Sequence, residues 1–232
     1  GQEIVFLVSL AVAVFLLWRV ALELDPAARR VALTLAALIF ALRSAPSIGD
    51  GYRWYGIDVL AFDEPFFGRL AQLQSTAGLL GLWVMCRVIS SNNQIRVLLV
   101  LILIEPLLAL PSIGPIFGLH RWTEAALGIG ARELAVFDTW LDIRFSNLGM
   151  IAMLTLTAFY APPGRTATWF TLMASIMNLA LVAGQLQTKY LNMLFPLDRG
   201  SYDRLPELAI ATLAVGTIVP WLAAMILGRR LA

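Results

Sequence analysis

Polar side chains recur at helical spacing within the largely apolar segment from Thr166 to Phe195. At steps of seven, four and three residues, they are Asn178, Gln185, Lys189 and Asn192. Because such steps place side chains on one face of an α-helix, the sequence predicts a single polar stripe. Lipid would leave these groups unsatisfied, so the stripe should face protein or water. We expect a solute to bind Asn178, Gln185 and Lys189.

Lys189 is the only lysine in the chain and allows three interpretations. It could bind a solute or a coupling ion, carry retinal as a Schiff base, or extend from a helix end toward the lipid headgroups. Tyr190 and Pro196 place it in the outer third of a bilayer, where such snorkelling costs little. The retinal hypothesis expects the lysine on the last helix, where this chain has none.

Three carboxylates could exchange protons inside a membrane. Asp138 and Asp142 lie one turn apart on a predicted helix, and Glu105 stands in the most apolar run of the chain. Because protonation removes the cost of a buried charge, such residues suit proton coupling. Structural alternatives stay open: Arg144 could neutralise one aspartate, a solvated vestibule could hold both, and Glu105 could bond the carbonyl group that Pro106 leaves without its donor.

Arg69 and Gln72 lie in the polar first half of another predicted helix. An arginine there could clamp an anionic solute, and Gln72 could face the same polar cavity. The structural alternative is an interfacial ion pair between Arg69 and Glu64. Arg69 and Gln72 complete the solute site that the sequence predicts.

The composition is that of a polytopic membrane protein. The chain has 232 residues, of which 59% are hydrophobic and 14% charged, and its mean hydropathy is +0.79. Soluble domains carry about 25% charged residues. One cysteine and one histidine exclude an internal disulfide and a multi-histidine metal or haem site. No basic cluster suggests nucleic acid, and no hydrolase, metalloprotease or phosphate-loop motif occurs. We expect neither an enzyme nor a cofactor.

Seven segments approach the length of about 20 apolar residues that a membrane helix needs. The sequence therefore predicts one all-α transmembrane bundle over residues 1–232. It divides into a lead helix (1–25), helices two to four (26–112), an interfacial segment (113–131) and helices five to seven (132–232). Arginines concentrate in the connections after helices one, three and five and in the C-terminal tail. That side should be cytoplasmic, which places the N-terminus outside and the C-terminus inside, in a bacterial inner membrane.

Two segments resemble a known group of transporters. ATWFTLMASIMNLALVAGQLQTKYLN (167–192) resembles the penultimate helix of the folate–biopterin transporter family, a branch of the major facilitator superfamily. There a run of the type FALLMSLSNLG follows a short Pro/Gly-containing cytoplasmic loop, as the APPGR loop precedes this helix. FDEPFFGRLAQLQSTAGLLGLWV (62–84) is similar to the first helix–loop unit of that family's C-terminal half. The resemblance covers roughly residues 37–227.

The resemblance implies that the seven helices correspond to the sixth through twelfth of a facilitator fold. It also implies a second helical bundle, which a missing N-terminal half, a second copy or a partner subunit would supply. We therefore expect a carrier half that moves a small organic solute through the bilayer by alternating access. An anionic solute and proton coupling are open points. The alternative is a non-transporting integral membrane subunit that packs against a partner complex or binds pigment or lipid.

Overall fold

Ten α-helices make up most of the chain in the computed structural model, which describes residues 1–90 and 94–228. Side chains are described except at residues 81–90, 94–95, 98–99, 101–102, 105, 142–148 and 228. The helices are α1 (Gln2–Leu22), α2 (Pro26–Arg43), α3 (Asp50–Asp58), α4 (Glu64–Ser90), α5 (Gln94–Leu108), α6 (Leu110–Ile113), α7 (Leu119–Leu127), α8 (Ala131–Phe159), α9 (Thr166–Leu194) and α10 (Leu205–Gly228). A short 3-10 helix, Gly114–Phe117, joins α6 to α7. The all-helical prediction is confirmed.

Three of the described helices are long and apolar enough to cross a membrane: Gln2–Leu22, Thr166–Leu194 and Leu205–Leu227. The other long helices, α2, α4, α5 and α8, lie where membrane helices were expected, but a count of seven spans stays a prediction. The polar stretch of residues 43–64 contains α3, and the segment 113–131, which the sequence predicts to be interfacial, contains α7.

Local signals explain several helix boundaries. Asp25 precedes α2, and its side chain accepts a hydrogen bond of 2.7 Å from the amide of Ala28, which satisfies one of the donors left free at a helix start. Pro26 occupies the first helical position, where a missing amide proton costs nothing. Between α8 and α9, Gly164 adopts a φ of 79°, a left-handed conformation that other residues reach only with strain.

The main core lies where α2, α8 and α9 meet. Trp169 of α9 is fully buried there, and its indole nitrogen donates a 2.8 Å hydrogen bond to the carbonyl oxygen of Thr157 on α8. Leu35 and Ile39 of α2 and Met173 of α9 pack in the same cluster. Around this core, α8 also packs on α4 and α5, while α10 packs on α2 and α5. The core thus fixes α9 relative to α2 and α8.

Helix α1 is attached to this bundle by a narrow face. It packs on α9 and α2, but only Ala13, Leu17 and Ala21 are buried. An ion pair stands at each end: Glu3 pairs with Lys189 of α9, and Glu23 pairs with Arg165 beside the start of α9. Most of the other side chains of α1 are exposed and apolar, as a surface in contact with lipid should be.

Small residues let the end of α2 approach α9 and α10. A Cβ atom on Gly184 would lie 2.7 Å from the carbonyl oxygen of Ala45, and one on Gly216 would lie 3.8 Å from the Cβ of Ala45. The side chain of Gln187 donates a 2.8 Å hydrogen bond to the carbonyl of Ser44 at the same level. Residues 44–49 are therefore held closely against the C-terminal half of α9.

We predict that Gly184→Ala lowers the thermal stability of the protein. The added methyl group would meet backbone, which cannot rotate away, so α9 must move from residues 44–45 at a cost of about 1–3 kcal/mol. Gly68→Ala is the matched control, because nothing lies within 4 Å of its Cβ position and alanine favours a helix. The thermal midpoint in detergent measures both. An unchanged midpoint in Gly184→Ala would contradict the close contact.

Candidate functional site

A groove of about 490 Å³ opens between the first turns of α4 and α8. It contains one of the arginines that the sequence singled out, Arg69. Its lining residues are Phe66, Arg69, Leu73, Arg132, Glu133, Val136, Phe137 and Trp140. Aromatic rings and cationic side chains thus line the same groove. The volume suits a drug-sized organic molecule.

The two arginines of the groove differ in how they are held. Arg132 donates a 2.9 Å hydrogen bond to the carbonyl of Ala61, lies 3.7 Å from the carboxylate of Asp63 and stacks over Phe66. Arg69 donates a weaker bond of 3.4 Å to the carbonyl of Pro65 on its own helix. Within the described residues, no carboxylate pairs with Arg69. Its guanidinium is therefore available to an anionic ligand.

The expected structural alternative for Arg69 is wrong. Glu64 lies 3.5 Å from Arg53 of α3 and does not pair with Arg69, because α3 brings Arg53 across the start of α4. Arg53 lies in the polar stretch of residues 43–64, and its position beside Glu64 could not be predicted from the sequence. Gln72 is exposed one turn beyond Arg69 on α4 and does not line the groove.

The rings of the groove offer flat apolar surfaces. Phe137 and Trp140 of α8 are nearly parallel, with ring centroids 6.5 Å apart and an angle of 20° between their planes. Both are partly exposed, and Phe66 on the opposite wall is buried under the two arginines. Aromatic faces and guanidinium groups stack well on planar heterocycles. The groove can therefore hold a flat ring and an anionic group at once.

Asp138 is half-buried on α8, next to the groove residue Phe137. Burial raises the pKa of Tyr52 on α3, and the negative charge of Asp138 raises it further. Asp138 is thus electrostatically coupled to α3. The backbones of Asp142 and Glu105 lie in α8 and α5, but their side chains are outside the described residues. The predicted proton-coupling set stays a prediction.

The predicted stripe on α9 lies on the exposed face of that helix. Asn178 and Gln185 are exposed, and Asn192 is partly exposed. The opposite face is apolar and buried in the core, as Met173 and Ala180 show. The polar stripe of α9 therefore faces away from the core. A helix whose outer face met only lipid would carry apolar side chains there.

Lys189 has a partner that no sequence spacing indicates. Its ammonium nitrogen lies 2.5 Å from a carboxylate oxygen of Glu3, at the start of α1, and 5.7 Å from the ring of Tyr190. Both charged side chains are about one-third exposed, at 40% for Lys189 and 33% for Glu3.

Arg43, the last residue of α2, was overlooked in the sequence. It is half-buried, and its side chain contacts the sulfur of Met150 on α8 at 3.8 Å. Its Nε atom is buried without a hydrogen-bond partner. One signal was available: no acidic residue occurs between Asp25 and Asp50, so a local ion pair was not at hand.

A family model described as the BT1 family matches residues 6–232. The chain belongs to the BT1 family. Together with the apolar helices, this membership identifies an integral membrane protein. The groove, the outward-facing polar stripe of α9 and the half-buried Arg43 are therefore features of a BT1-family chain.

Two curated relatives of this BT1 chain carry transporter names. It is 28% identical over 186 residues to the folate-biopterin transporter of Synechocystis sp., an alignment that covers 78% of this chain and 36% of the relative. It is 26% identical over 168 residues to folate transporter 2 of Plasmodium falciparum, covering 72% and 36%. The chain thus spans about a third of the length of these relatives. No solved structure matches it.

A polar tether joins α3 of the BT1 chain to residues 198–202. The hydroxyl of Tyr202 donates a short hydrogen bond to Asp58, and Arg199 lies 3.4 Å from the same carboxylate. These two partners lower the pKa of Asp58, with the Tyr202 bond the larger cause. Burial, followed by the bond to Asp58, raises the pKa of Tyr202. The ring of Tyr202 also packs edge-on against Tyr55.

The stabilisation from this tether should depend on pH. Because the pKa of Asp58 is lower when folded, its contribution is present above the unfolded value of about 3.9 and is lost as the pH falls below it. We predict that Asp58→Asn lowers the thermal midpoint at pH 7 and that the gap to wild type narrows toward pH 3. Asp203→Asn, at an exposed site, is the control. A gap that stays constant across this range would contradict the tether.

Proposed function

We propose that this BT1 chain is one helical bundle of a membrane transporter that moves a folate-like or biopterin-like solute. The observation that carries the proposal is the groove between α4 and α8, which combines Arg69, without a carboxylate partner among the described residues, with the parallel rings of Phe137 and Trp140. A pteridine is a flat heterocycle, and folate adds carboxylates to it. The names of the two relatives support the same solute class.

The transport mechanism in this proposal is alternating access against a second helical bundle. The outward polar stripe of α9 supports it, because Asn178 and Gln185 would be unsatisfied in lipid but not beside water or protein. The relatives are long enough to contain another bundle, since the match covers only 36% of each. The N-terminal part of a longer chain, a second copy or a partner subunit could supply it.

In this proposal, the seven long helices correspond to the sixth to twelfth helices of a major facilitator bundle. The N-terminus then lies outside the membrane and the C-terminus inside. The groove would then face outward and would receive the solute first, while Gln72, Asn178, Gln185 and Lys189 would contact it further along. Asp138, Asp142 and Glu105 are the candidates for a coupling proton. A carboxylate in a membrane can change protonation state as the carrier opens to either side.

Uptake into vesicles tests the proposal. The full-length protein is reconstituted into liposomes, and uptake of labelled folate and biopterin is measured with and without an inward proton gradient. We expect saturable uptake of at least one pteridine, and faster uptake with the gradient if protons are coupled. Absence of uptake of both compounds, with the protein intact, would favour the non-transporting subunit. In that case a tightly bound pigment or lipid, or a copurifying membrane partner, should be found.

A further inference from the structure

Glu133 lines the groove, and only one of its two carboxylate oxygens has a partner in the described part of the chain. It stands on the first turn of α8, where its Oε2 atom accepts a 3.0 Å hydrogen bond from the amide of Gly130. This bond caps the helix and orients the carboxylate. The other oxygen, Oε1, meets no hydrogen-bond donor and no cation among the described residues. It is therefore available to a ligand that carries donors.

The groove keeps this acid and its two arginines apart. Arg132 lies 3.7 Å from the carboxylate of Asp63, and Arg69 donates a hydrogen bond to a backbone carbonyl of its own helix. Neither arginine pairs with Glu133 where the structure describes side chains. Opposite charges that line one groove without neutralising each other make it bipolar. Such a groove is complementary to a ligand with N–H donors at one end and an anionic group at the other.

Helical spacing places the acid beside the aromatic rings. Glu133, Phe137 and Trp140 follow one another at steps of four and three residues on α8, so they share one face of that helix. The step from Glu133 to Phe137 is about 6 Å along the helix axis. The two rings are nearly parallel. A flat heterocycle stacked on them would therefore present one of its edges to the carboxylate.

We propose that Glu133 binds the amino-pyrimidinone edge of a pteridine ring and is the residue that selects for this ring. The edge presents two parallel N–H donors, on ring N3 and on the 2-amino group, which match the two oxygens of a carboxylate. The bond to Gly130 leaves room for this pair, because each carboxylate oxygen has two lone pairs. The inference rests on the proposed transport of pteridines. Glu133 binds the ring, whereas Arg69 binds the carboxylated tail.

Pterin and lumazine test this assignment, because lumazine has a carbonyl oxygen where pterin has the 2-amino group. The full-length protein in liposomes takes up labelled folate, and each compound is added as a competitor. Pterin should inhibit wild type at a concentration about tenfold or more below that of lumazine. The reason is that lumazine loses a charged hydrogen bond and turns an acceptor toward the carboxylate.

Glu133→Gln should reduce this preference for pterin to about twofold or less, because no charged hydrogen bond remains. Glutamine can still cap α8 through its amide oxygen, so the helix start should be preserved. Its amide nitrogen then faces the ring edge as a donor, which disfavours pterin and suits the carbonyl oxygen of lumazine. The ratio of the two inhibitory concentrations is compared within each variant, so a general loss of active protein does not change it.

Glu124→Gln is the matched control, since Glu124 is an exposed acid on α7 that does not line the groove. It should keep the wild-type ratio. If Glu133→Gln also keeps that ratio, or if wild type does not prefer pterin, the assignment is wrong while the proposed transport stands. If wild type takes up neither folate nor biopterin, the proposed function fails and this inference fails with it. For a variant with too little uptake, the rise in thermal midpoint on adding pterin or lumazine gives the same comparison.

Discussion

Arg69→Gln is expected to reduce the transport efficiency for an anionic pteridine by about 10- to 100-fold. Arg69 lines the groove, lacks a carboxylate partner among the described residues and lies 6.0 Å from the ring of Phe66. A ligand carboxylate would gain a charge-assisted hydrogen bond there, and such bonds contribute about 1.5–3 kcal/mol. Because few internal contacts hold Arg69, the same change should leave folding intact.

Initial uptake rates over a range of solute concentrations measure this effect. We expect the half-saturating concentration to rise more than the maximal rate falls, since a residue at the first contact acts on binding. Arg204→Gln is the control, because it removes an exposed arginine from outside the groove. Equal losses in Arg69→Gln and Arg204→Gln would show that general charge attraction, and not the groove, is responsible.

Cysteines on the exposed face of α9 are expected to react with a hydrophilic thiol reagent about tenfold faster than cysteines in the core. Reaction needs the thiolate, which forms in water but not in lipid or a packed interior. Asn178→Cys and Gln185→Cys test the stripe, each in a chain whose single native cysteine, Cys86, is replaced by serine. Ala180→Cys, fully buried on the same helix, should stay unlabelled.

A second control separates water from lipid. Val219 of α10 is 44% exposed on an apolar span, so Val219→Cys should face lipid and resist the reagent. Protection of Asn178→Cys or Gln185→Cys by added folate would place the solute beside α9. If both stripe positions are as unreactive as Ala180→Cys in the full-length protein, the stripe is packed against protein, and the non-transporting subunit becomes the better interpretation.

The sequence predicted which residues form the polar stripe of α9 but not which way the stripe faces. Spacing alone puts Asn178 and Gln185 on one face, since helical geometry depends only on residue number. Whether that face turns toward the core depends on the packing of α2 and α8 against Trp169 and Met173, which is tertiary information. The apolar face was equally visible in the sequence, and its burial now shows that the polar face is the outer one.

Long-range pairs were beyond the sequence for the same reason. Lys189 pairs with Glu3 across more than 180 residues, and the groove brings Arg69 beside Phe137 and Trp140 of another helix. Arg43 could have been noticed as an arginine that follows an apolar run without a nearby acid.

The two ion pairs of α1 allow the two ends of that helix to be released separately. Its 21 residues separate Glu3 and Glu23 by about 30 Å, several times the distance over which charges interact at physiological salt. The pairs with Lys189 and Arg165 can therefore break one at a time, because loss of one has little effect on the energy of the other. Between them, only Ala13, Leu17 and Ala21 of α1 are buried, so after release of one end the helix would be held by this narrow row and by the other ion pair. Because Leu17 packs in the same core cluster as Trp169, the end of α1 near Arg165 is held more firmly, and the end at Glu3, where no residue of α1 before Ala13 is buried, is the one that loss of its ion pair would release.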